Sequence, residues 1–269
     1  TTIRNIIASG GNLKHLSILD NFCWCSSNDP ERLWQLKESV RACYDYAVGY
    51  STPFISGKDS MFNDFKGYDE KGNKVDISIP PTLLISGISV VENILKTVSP
   101  EFKNTGDLIY VLGETKDELG GGDYLKILGY TGNNVPKVEI NKNLKTYKTL
   151  EELIAKEILS SSLSISSGGL AIALAKASVG GMIGSNITID NIKGLTTVQK
   201  LISESQGRIL VSINTKKCRV FEKIVKNIPN NKIRINNKKN KIIISDKNKK
   251  ILETSVQNLS TSYHKFSNK

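Results

Sequence analysis

The stretch "PFISGKDSMFNDF", residues 53–65, sets a short apolar run against Gly57-Lys58-Asp59-Ser60 and then returns at once to Met61 and Phe62. The apolar residues after Pro53 predict a strand, "FIS", and Gly57 reads as its end. There a cation, a carboxylate and a hydroxyl are presented side by side. Two readings fit that chemistry. Glycine lets a phosphate approach the backbone, Asp59 is a hard oxygen ligand for Mg²⁺, Ser60 can donate to a phosphate oxygen, and Lys58 can neutralise charge in transfer. A turn of small polar residues at a strand end needs no ligand at all. The spacing is not that of the GxxxxGK[ST] phosphate loop.

Upstream, "LSIL" (16–19) predicts a short strand that delivers Asp20 to its C-terminal end. A helix follows. Asp29 can cap it, Pro30 suits the first helical position, and Glu31 complements the positive dipole end. Leu33, Leu36, Val40, Cys43 and Ala47 recur at spacings of three and four, which predicts one buried stripe ending near Gly49. Asp20 and Gly57 therefore both fall at strand ends with a helix between, the position at which open α/β sheets form ligand crevices. Residues 3–9 predict a helix stopped by Gly10-Gly11, residues 66–81 an exposed loop, and "TLLISGISVV" (82–91) a strand that closes the first unit.

The pattern changes around Val98-Ser99-Pro100. "GDLIYVLGET" predicts a strand leading into the glycine cluster "ELGGGDY", whose Gly120 and Gly121 form either an anion-binding nest or a tight turn. Beyond it come a helix at 150–160 and a helix led by Gly168-Gly169. The serine-rich "SSSLSISSGGL" before that helix is either an anion site at a helix start or a flexible loop. "ITID", the helix "LTTVQKLISES", the strand "RILVSI", a basic helix (216–228), the strands "KIRI" and "KIIISD" and a closing helix in the last twenty residues complete an α/β alternation. Glu204-Ser205-Gln206 sits at a helix-to-strand junction and reads as a cap. Two domains, 1–96 and 97–269, are the economical division.

Composition limits the classes available. The 269 residues are 39% hydrophobic, enough for real cores. No run approaches the roughly 18 apolar residues of a membrane span, and no charged-then-apolar leader opens the chain. "TTIRNIIASGG" has no initiating methionine and reads as mid-domain sequence, so the chain is taken as a piece of a longer polypeptide. Cys23, Cys25, Cys43 and Cys218 have no complementary ligand cluster and read as reduced thiols of a cytoplasmic protein. His15 and His264 lie far apart. The net charge of +11 resides wholly in residues 216–250, which hold thirteen Lys/Arg and two Asp/Glu. That segment has no aromatic residue after Phe221 to stack on bases, so it reads as a solvated lysine face and no nucleic-acid partner is expected.

Taken together, "IRNIIASGGN", "ILDNFCW", "NDPERLWQLKESVRACYDYA", "TPFISGKDSMFND" and "ISESQGRILVSI" resemble the second half of the phosphoribosylformylglycinamidine synthase family, in the superfamily of aminoimidazole ribonucleotide synthetase and selenophosphate synthetase. The resemblance is strongest over 3–92 and weakest from 216 onward. It implies an α+β (α/β layered) fold: a half-barrel ATP-binding domain, lacking its first strand here, followed by a three-layer α/β/α domain. It implies the ATP-dependent conversion of formylglycinamide ribonucleotide to its amidine with glutamine-derived ammonia. In that reaction the amide oxygen is phosphorylated and ammonia displaces the phosphate. The implied cofactors are ATP and Mg²⁺. The implied partners are an N-terminal half that pairs its half-barrel face to face with this one, a glutaminase subunit or domain, and a small bridging subunit.

By position, Asp20 and Gly57 match ATP-contacting residues, Lys58 and Asp59 the Mg²⁺-binding stretch, and Ser60 a substrate-contacting serine. Asp59 is the chemically sensible metal ligand, because a protonated lysine has no lone pair to offer. Gly120, Gly121, Glu204, Ser205 and Gln206 are possible auxiliary positions. The family's catalytic histidine lies in the half not present. Where the family carries acids before its Gly-Gly helix, this chain has Leu163-Ser164-Ile165-Ser166-Ser167. That departure keeps open a non-catalytic nucleotide-binding or scaffold fragment of the same superfamily.

Overall fold

The computed structural model describes residues 1–237 and 240–265, so two lysines of the basic segment, 238 and 239, lie outside the described residues. The chain resolves into two compact units: residues 13–90, and residues 3–12 together with 91–269. The sequence reading placed residues 3–12 with the first unit and put the boundary at 96.

The helix α1 (Thr2–Ala8) precedes the smaller unit, which contains β1 (Leu16–Cys23), α2 (Pro30–Tyr50), β2 (Phe54–Ser60), β3 (Phe65–Tyr68), β4 (Lys74–Ile77) and β5 (Thr82–Ser89). Its sheet runs in the order β2-β1-β5, with β1 parallel to β2 and antiparallel to β5. The Asp29 carboxylate accepts from the N–H groups of Glu31 at 2.8 Å and Arg32 at 3.3 Å, so α2 begins where its cap and Pro30 dictate. Trp24 Nε1 donates to the Arg32 carbonyl at 3.0 Å and ties that first turn to the exit of β1.

Several expectations for this unit are corrected. Both strands continue through the residues read as their ends: β1 extends past Asp20 to Cys23, and β2 passes through Gly57 to Ser60. Pairing with β1 supplies backbone partners that the low strand propensity of Gly-Lys-Asp-Ser does not forecast. The predicted α2 stripe is only partly inward. Leu36 and Cys43 pack against Phe22, Trp24 and Cys25, whereas Leu33 and Val40 are 50% and 52% exposed. A helix lying on a three-stranded sheet covers a narrow strip, and the 3–4 spacing cannot say which edge of the stripe it is. The loop at 66–81 contains the hairpin β3–β4.

The larger unit holds β6 (Leu108–Leu112), α3 (Asp123–Ile127), α4 (Ile140–Ala155), β7 (Leu159–Ser164), α5 (Gly169–Gly181), β8 (Gly184–Thr188), α6 (Thr197–Ile202), β9 (Ile209–Ile213), α7 (Cys218–Val225), β10 (Asn230–Asn237), β11 (Lys241–Asp246), β12 (Lys249–Ser255) and α8 (Val256–Lys265). Its seven strands follow the order β12-β11-β8-β10-β6-β9-β7, antiparallel except for β11 beside β8. Alternate residues of β6 face opposite layers. Ile109 and Val111 join the core of Leu170, Leu174, Leu210 and Ile244 under α5, while Tyr110 packs its ring 4.5 Å from Phe221 of α7.

Three readings of this unit change. The helix at 150–160 begins ten residues earlier and ends at Ala155, because its buried face uses polar Asn143 and Thr146 before Leu150 and Leu153. The serine-rich segment contains a strand, β7, whose Ser161 hydroxyl pairs with Ser212 on β9 at 2.6 Å. A strand, β12, precedes the closing helix α8.

Candidate functional site

The register of β1 and β2 brings the candidate residues together in pairs: Asp20 opposite Gly57, Asn21 opposite Lys58, Phe22 opposite Asp59 and Cys23 opposite Ser60. Side chains alternate across a strand, so the motif is split between two faces. Gly57 and Asp59 share the face of Asp20 and Phe22, the one on which α2 packs. Burial pushes the Cys43 thiol of α2 above its ordinary pKa, and the charge of Asp20 adds to the rise, which places the Asp20 carboxylate beneath the helix. Lys58 and Ser60 share the opposite, open face with Asn21 and Cys23. The four residues Gly57–Ser60 are thus not gathered at one strand end.

The Asp20 side chain lies directly over Gly57. A Cβ built on Gly57 would stand 2.4 Å from Asp20 Oδ1 and 2.9 Å from its carboxyl carbon, well inside contact distance. Glycine matters here for space and not for an unusual backbone, since Gly57 lies outside the positive-φ residues and any side chain would have to displace the Asp20 carboxylate. Just past β2, Asp64 Oδ2 accepts from the Ser26 N–H at 2.7 Å and fastens together the exits of the two strands.

On the open face, the Lys58 ammonium donates to the Ser60 hydroxyl and lies 3.9 Å from Cys23 Sγ. Cys23 Sγ is 3.6 Å from Asn21 Oδ1. Around this polar group the face is apolar and uncovered: Leu84 and Ile88, opposite Asn21 and Ser17, are 57% and 59% exposed. Asn21 was not singled out from the sequence, and Cys23 was read there only as a reduced thiol. The alternation of β1, followed past Leu19, would have found them.

Comparison with known proteins bears on this arrangement. Residues 104–227 match the AIR synthase related protein, C-terminal domain. The chain is 34% identical over 233 residues to the phosphoribosylformylglycinamidine synthase subunit PurL of Alkaliphilus metalliredigens, which is 86% of this chain and 30% of that protein. Its fold superposes on T. maritima PurL complexed with FGAR at a TM-score of 0.72, with 16% identity, over 96% of this chain and 41% of that one. T. maritima PurL complexed with ATP superposes at 0.66, with 15% identity, over 96% and 39%. Residues 104–227 belong to the AIR synthase-related C-terminal domain family. The chain spans about a third of the length of the curated PurL relative it matches, and its α+β architecture is the AIR synthase type.

In the AIR synthase-related C-terminal domain, the auxiliary positions take structural partners. The Gly120 N–H donates to the Asn134 carbonyl at 2.9 Å and the Gly121 N–H to that of Thr131 at 2.8 Å, so this cluster is a turn whose donors are already satisfied. Glu204 supplies the anion at the helix start: its Oε1 accepts from the Gly168 N–H at 2.9 Å and from the Asp123 N–H at 3.3 Å. It crowds Gly122, where a Cβ would meet the Glu204 carboxyl carbon at 3.2 Å. The Ser205 hydroxyl accepts from the Lys116 N–H at 3.0 Å, and Gln206 Oε1 accepts from Arg4 Nη1 at 3.0 Å. Arg4 Nε donates to the Ser164 hydroxyl at 2.7 Å.

Arg4 and Arg208 are both buried and went unmarked in the sequence. For Arg208 the available signal was an arginine opening the mostly apolar "RILVSI". Burial and, after it, the charge of Arg4 lower the Arg208 pKa to about 10 against the opposing charges of Glu118 and Glu204.

Proposed function

We propose that this chain supplies the second half of the site of an ATP-dependent carbon–nitrogen ligase of the PurL kind. In this reading formylglycinamide ribonucleotide becomes its amidine, with glutamine-derived ammonia as nitrogen donor. One observation carries the proposal: Asp20 lies across Gly57, at a position with no space for a side chain, in a chain one-third identical to PurL. Gly57 is exposed and carries no side chain of its own, so a nucleotide can approach its backbone once the Asp20 carboxylate turns toward the ligand.

Asp20 and Gly57 hold the nucleotide in this reading. Mg²⁺ fits the face they share. Asp59 is an exposed carboxylate on that face, and Mg²⁺ is commonly held by one or two carboxylates with waters and substrate phosphates completing the shell. Among the described residues no group of three or more His, Cys, Asp or Glu side chains could hold a metal alone, so the phosphates have to contribute. Bound there, Mg²⁺ would neutralise phosphoryl charge. Lys58 points to the other face and, being protonated, does not fit as a ligand. Ser60 is the substrate contact. The uncovered Leu84 and Ile88 fit a surface completed by the N-terminal half. A glutaminase, a small bridging subunit and a cytoplasmic setting follow from the same reading.

Calorimetric titration of Mg-ATP into the chain tests the nucleotide role. Asp20→Ala is expected to weaken binding about tenfold, the worth of one hydrogen bond to a charged group. Equal affinity in the variant and the parent would remove Asp20 from the site. The rival reading, a non-catalytic fragment, draws on Ser164, whose hydroxyl is held by Arg4 where the family carries acids.

A further inference from the structure

We propose that hydrogen peroxide oxidises Cys218 to a sulfenic acid, which the neighbouring Lys232 amine captures as a covalent sulfur–nitrogen link between α7 and β10. Register places Lys232 directly opposite Tyr110 of β6, and the Tyr110 ring packs against Phe221 of α7. Cys218 and Glu222 lie one turn apart on that helix. Four reactive side chains therefore meet in the larger unit, outside the residues that carry the Asp20–Gly57 pair. Tyr110 Oη donates to Glu222 Oε1 at 2.8 Å and lies 3.4 Å from Cys218 Sγ, which itself donates to Glu222 Oε1 at 3.3 Å. The Lys232 ammonium stands 3.8 Å from Cys218 Sγ, 3.8 Å from the Glu222 carboxylate and 5.7 Å from the centre of the Tyr110 ring.

Cys218 is half-buried, so a molecule as small as peroxide reaches it, and Glu222 stands ready to take its proton. The hydrogen bond from Tyr110, and then that from Cys218, hold the Glu222 carboxyl below its ordinary range, so it is ionised. Cys23, Cys25 and Cys43 all belong to the smaller unit, which leaves Cys218 without a second thiol in its own. Burial pushes the Tyr110 phenol far above its ordinary pKa and keeps it protonated. Lys232, exposed and on a long stem, is the nucleophile that remains. In the first step the thiol proton passes to Glu222, sulfur attacks one peroxide oxygen, and the O–O bond breaks. The departing hydroxide takes that proton as water; sulfur is oxidised to Cys–SOH and peroxide is reduced. In the second step Lys232 releases one proton to solvent and its lone pair attacks sulfur. The S–N bond forms, the S–O bond breaks, and the hydroxide leaves as water with a second amine proton. One thiol, one ammonium and one peroxide thus give the link, two waters and a proton.

The full chain treated with excess hydrogen peroxide, blocked with iodoacetamide and digested is read by peptide-resolved mass spectrometry, before and after dithiothreitol. The expected product is a Cys218–Lys232 cross-linked peptide pair lighter by two hydrogens than the separate peptides, and dithiothreitol is expected to restore both. Lys232→Arg keeps the cation and removes the nucleophile. In that variant the linked pair is expected to vanish, with dimedone now trapping Cys218 as its sulfenic acid. Cys218 left unmodified in the parent overturns the site. A parent in which Cys218 is oxidised but no linked pair forms overturns the role of Lys232, as does a link that persists in Lys232→Arg. A linked pair that carries an added oxygen overturns the direct sulfur–nitrogen bond.

Discussion

Replacing Gly57 by alanine isolates one contact and gives it a sign that simple propensity would reverse. Glycine inside a strand is less favourable than alanine, so a strand position with ordinary φ and free space should gain about 0.4–1 kcal/mol from the substitution through a stiffer unfolded chain. At Gly57 the new methyl would stand 2.4 Å from Asp20 Oδ1 and 3.0 Å from Oδ2. The carboxylate has to move, and such overpacking costs about 1–3 kcal/mol. Loss therefore outweighs gain, and Gly57→Ala is expected to destabilise this unit by about 1–2 kcal/mol. In an Asp20→Ala background the obstacle is gone, and the same substitution should become neutral or slightly stabilising. The coupling between the two sites is then about 1–3 kcal/mol. Both tryptophans of the chain, Trp24 and Trp34, lie in this unit, so urea unfolding followed by tryptophan fluorescence reads it without interference from the other. An equal cost of Gly57→Ala with and without the Asp20 carboxylate would refute the steric account.

Other expectations follow from the same geometry. Lys200 and Asp246 form a buried pair at 2.7 Å, so Lys200→Met strands a carboxylate and should cost about 3–5 kcal/mol, measured by calorimetry. Burial pushes the Asp246 carboxyl up, but hydrogen bonds from Lys200 and Thr197 outweigh it and hold the pKa below the ordinary 3.8. The stabilisation from that depressed pKa is thus complete above the ordinary value and lost as pH falls through the folded one; an acid transition unchanged by Asp246→Asn would contradict this. Glu204→Ala removes the acceptor at the starts of α5 and α3 and should lower stability by about 1–2 kcal/mol, with faster amide exchange at Gly168 and Asp123. Asp59→Ala in the assembled enzyme should raise the Mg²⁺ requirement for ATP use with little change in melting temperature, since an exposed position costs little when truncated. Unchanged turnover at limiting Mg²⁺ would remove Asp59 from the metal.

Legibility in the sequence followed local physics. Asp29, Pro30 and Glu31 announced the start of α2 because capping is decided within one turn. The strands β6 and β9, apolar but for Tyr110 and Ser212, were equally plain. What failed was set by neighbours distant in sequence. Gly57–Ser60 stays extended because β1 pairs with it, and no local preference of glycine, lysine, aspartate or serine encodes that partner. Ser161 and Ser162 look like loop residues until Ser212 is placed across from the first. Among the candidate site residues, the Asp20–Gly57 pairing could be anticipated from two strand positions joined by a helix. The partition of Asp59 from Lys58 and Ser60 could not be read once the strand was ended at Gly57. Glu204 was read as a cap, and its target helices, α5 and α3, became visible only in three dimensions.

The central claim is that this chain holds one half of a ligase site whose acid–base chemistry resides in the other half. A synthetase assay with ATP, Mg²⁺, formylglycinamide ribonucleotide and ammonia tests it most directly, run on the purified chain and on the chain co-expressed with a PurL N-terminal half. Neither His15, in the short turn before β1, nor His264, in the last turn of α8, neighbours the Asp20–Gly57 pair along its strands. The account predicts no turnover by the chain alone and amidine formation when the N-terminal half is supplied; turnover by the isolated chain would contradict it.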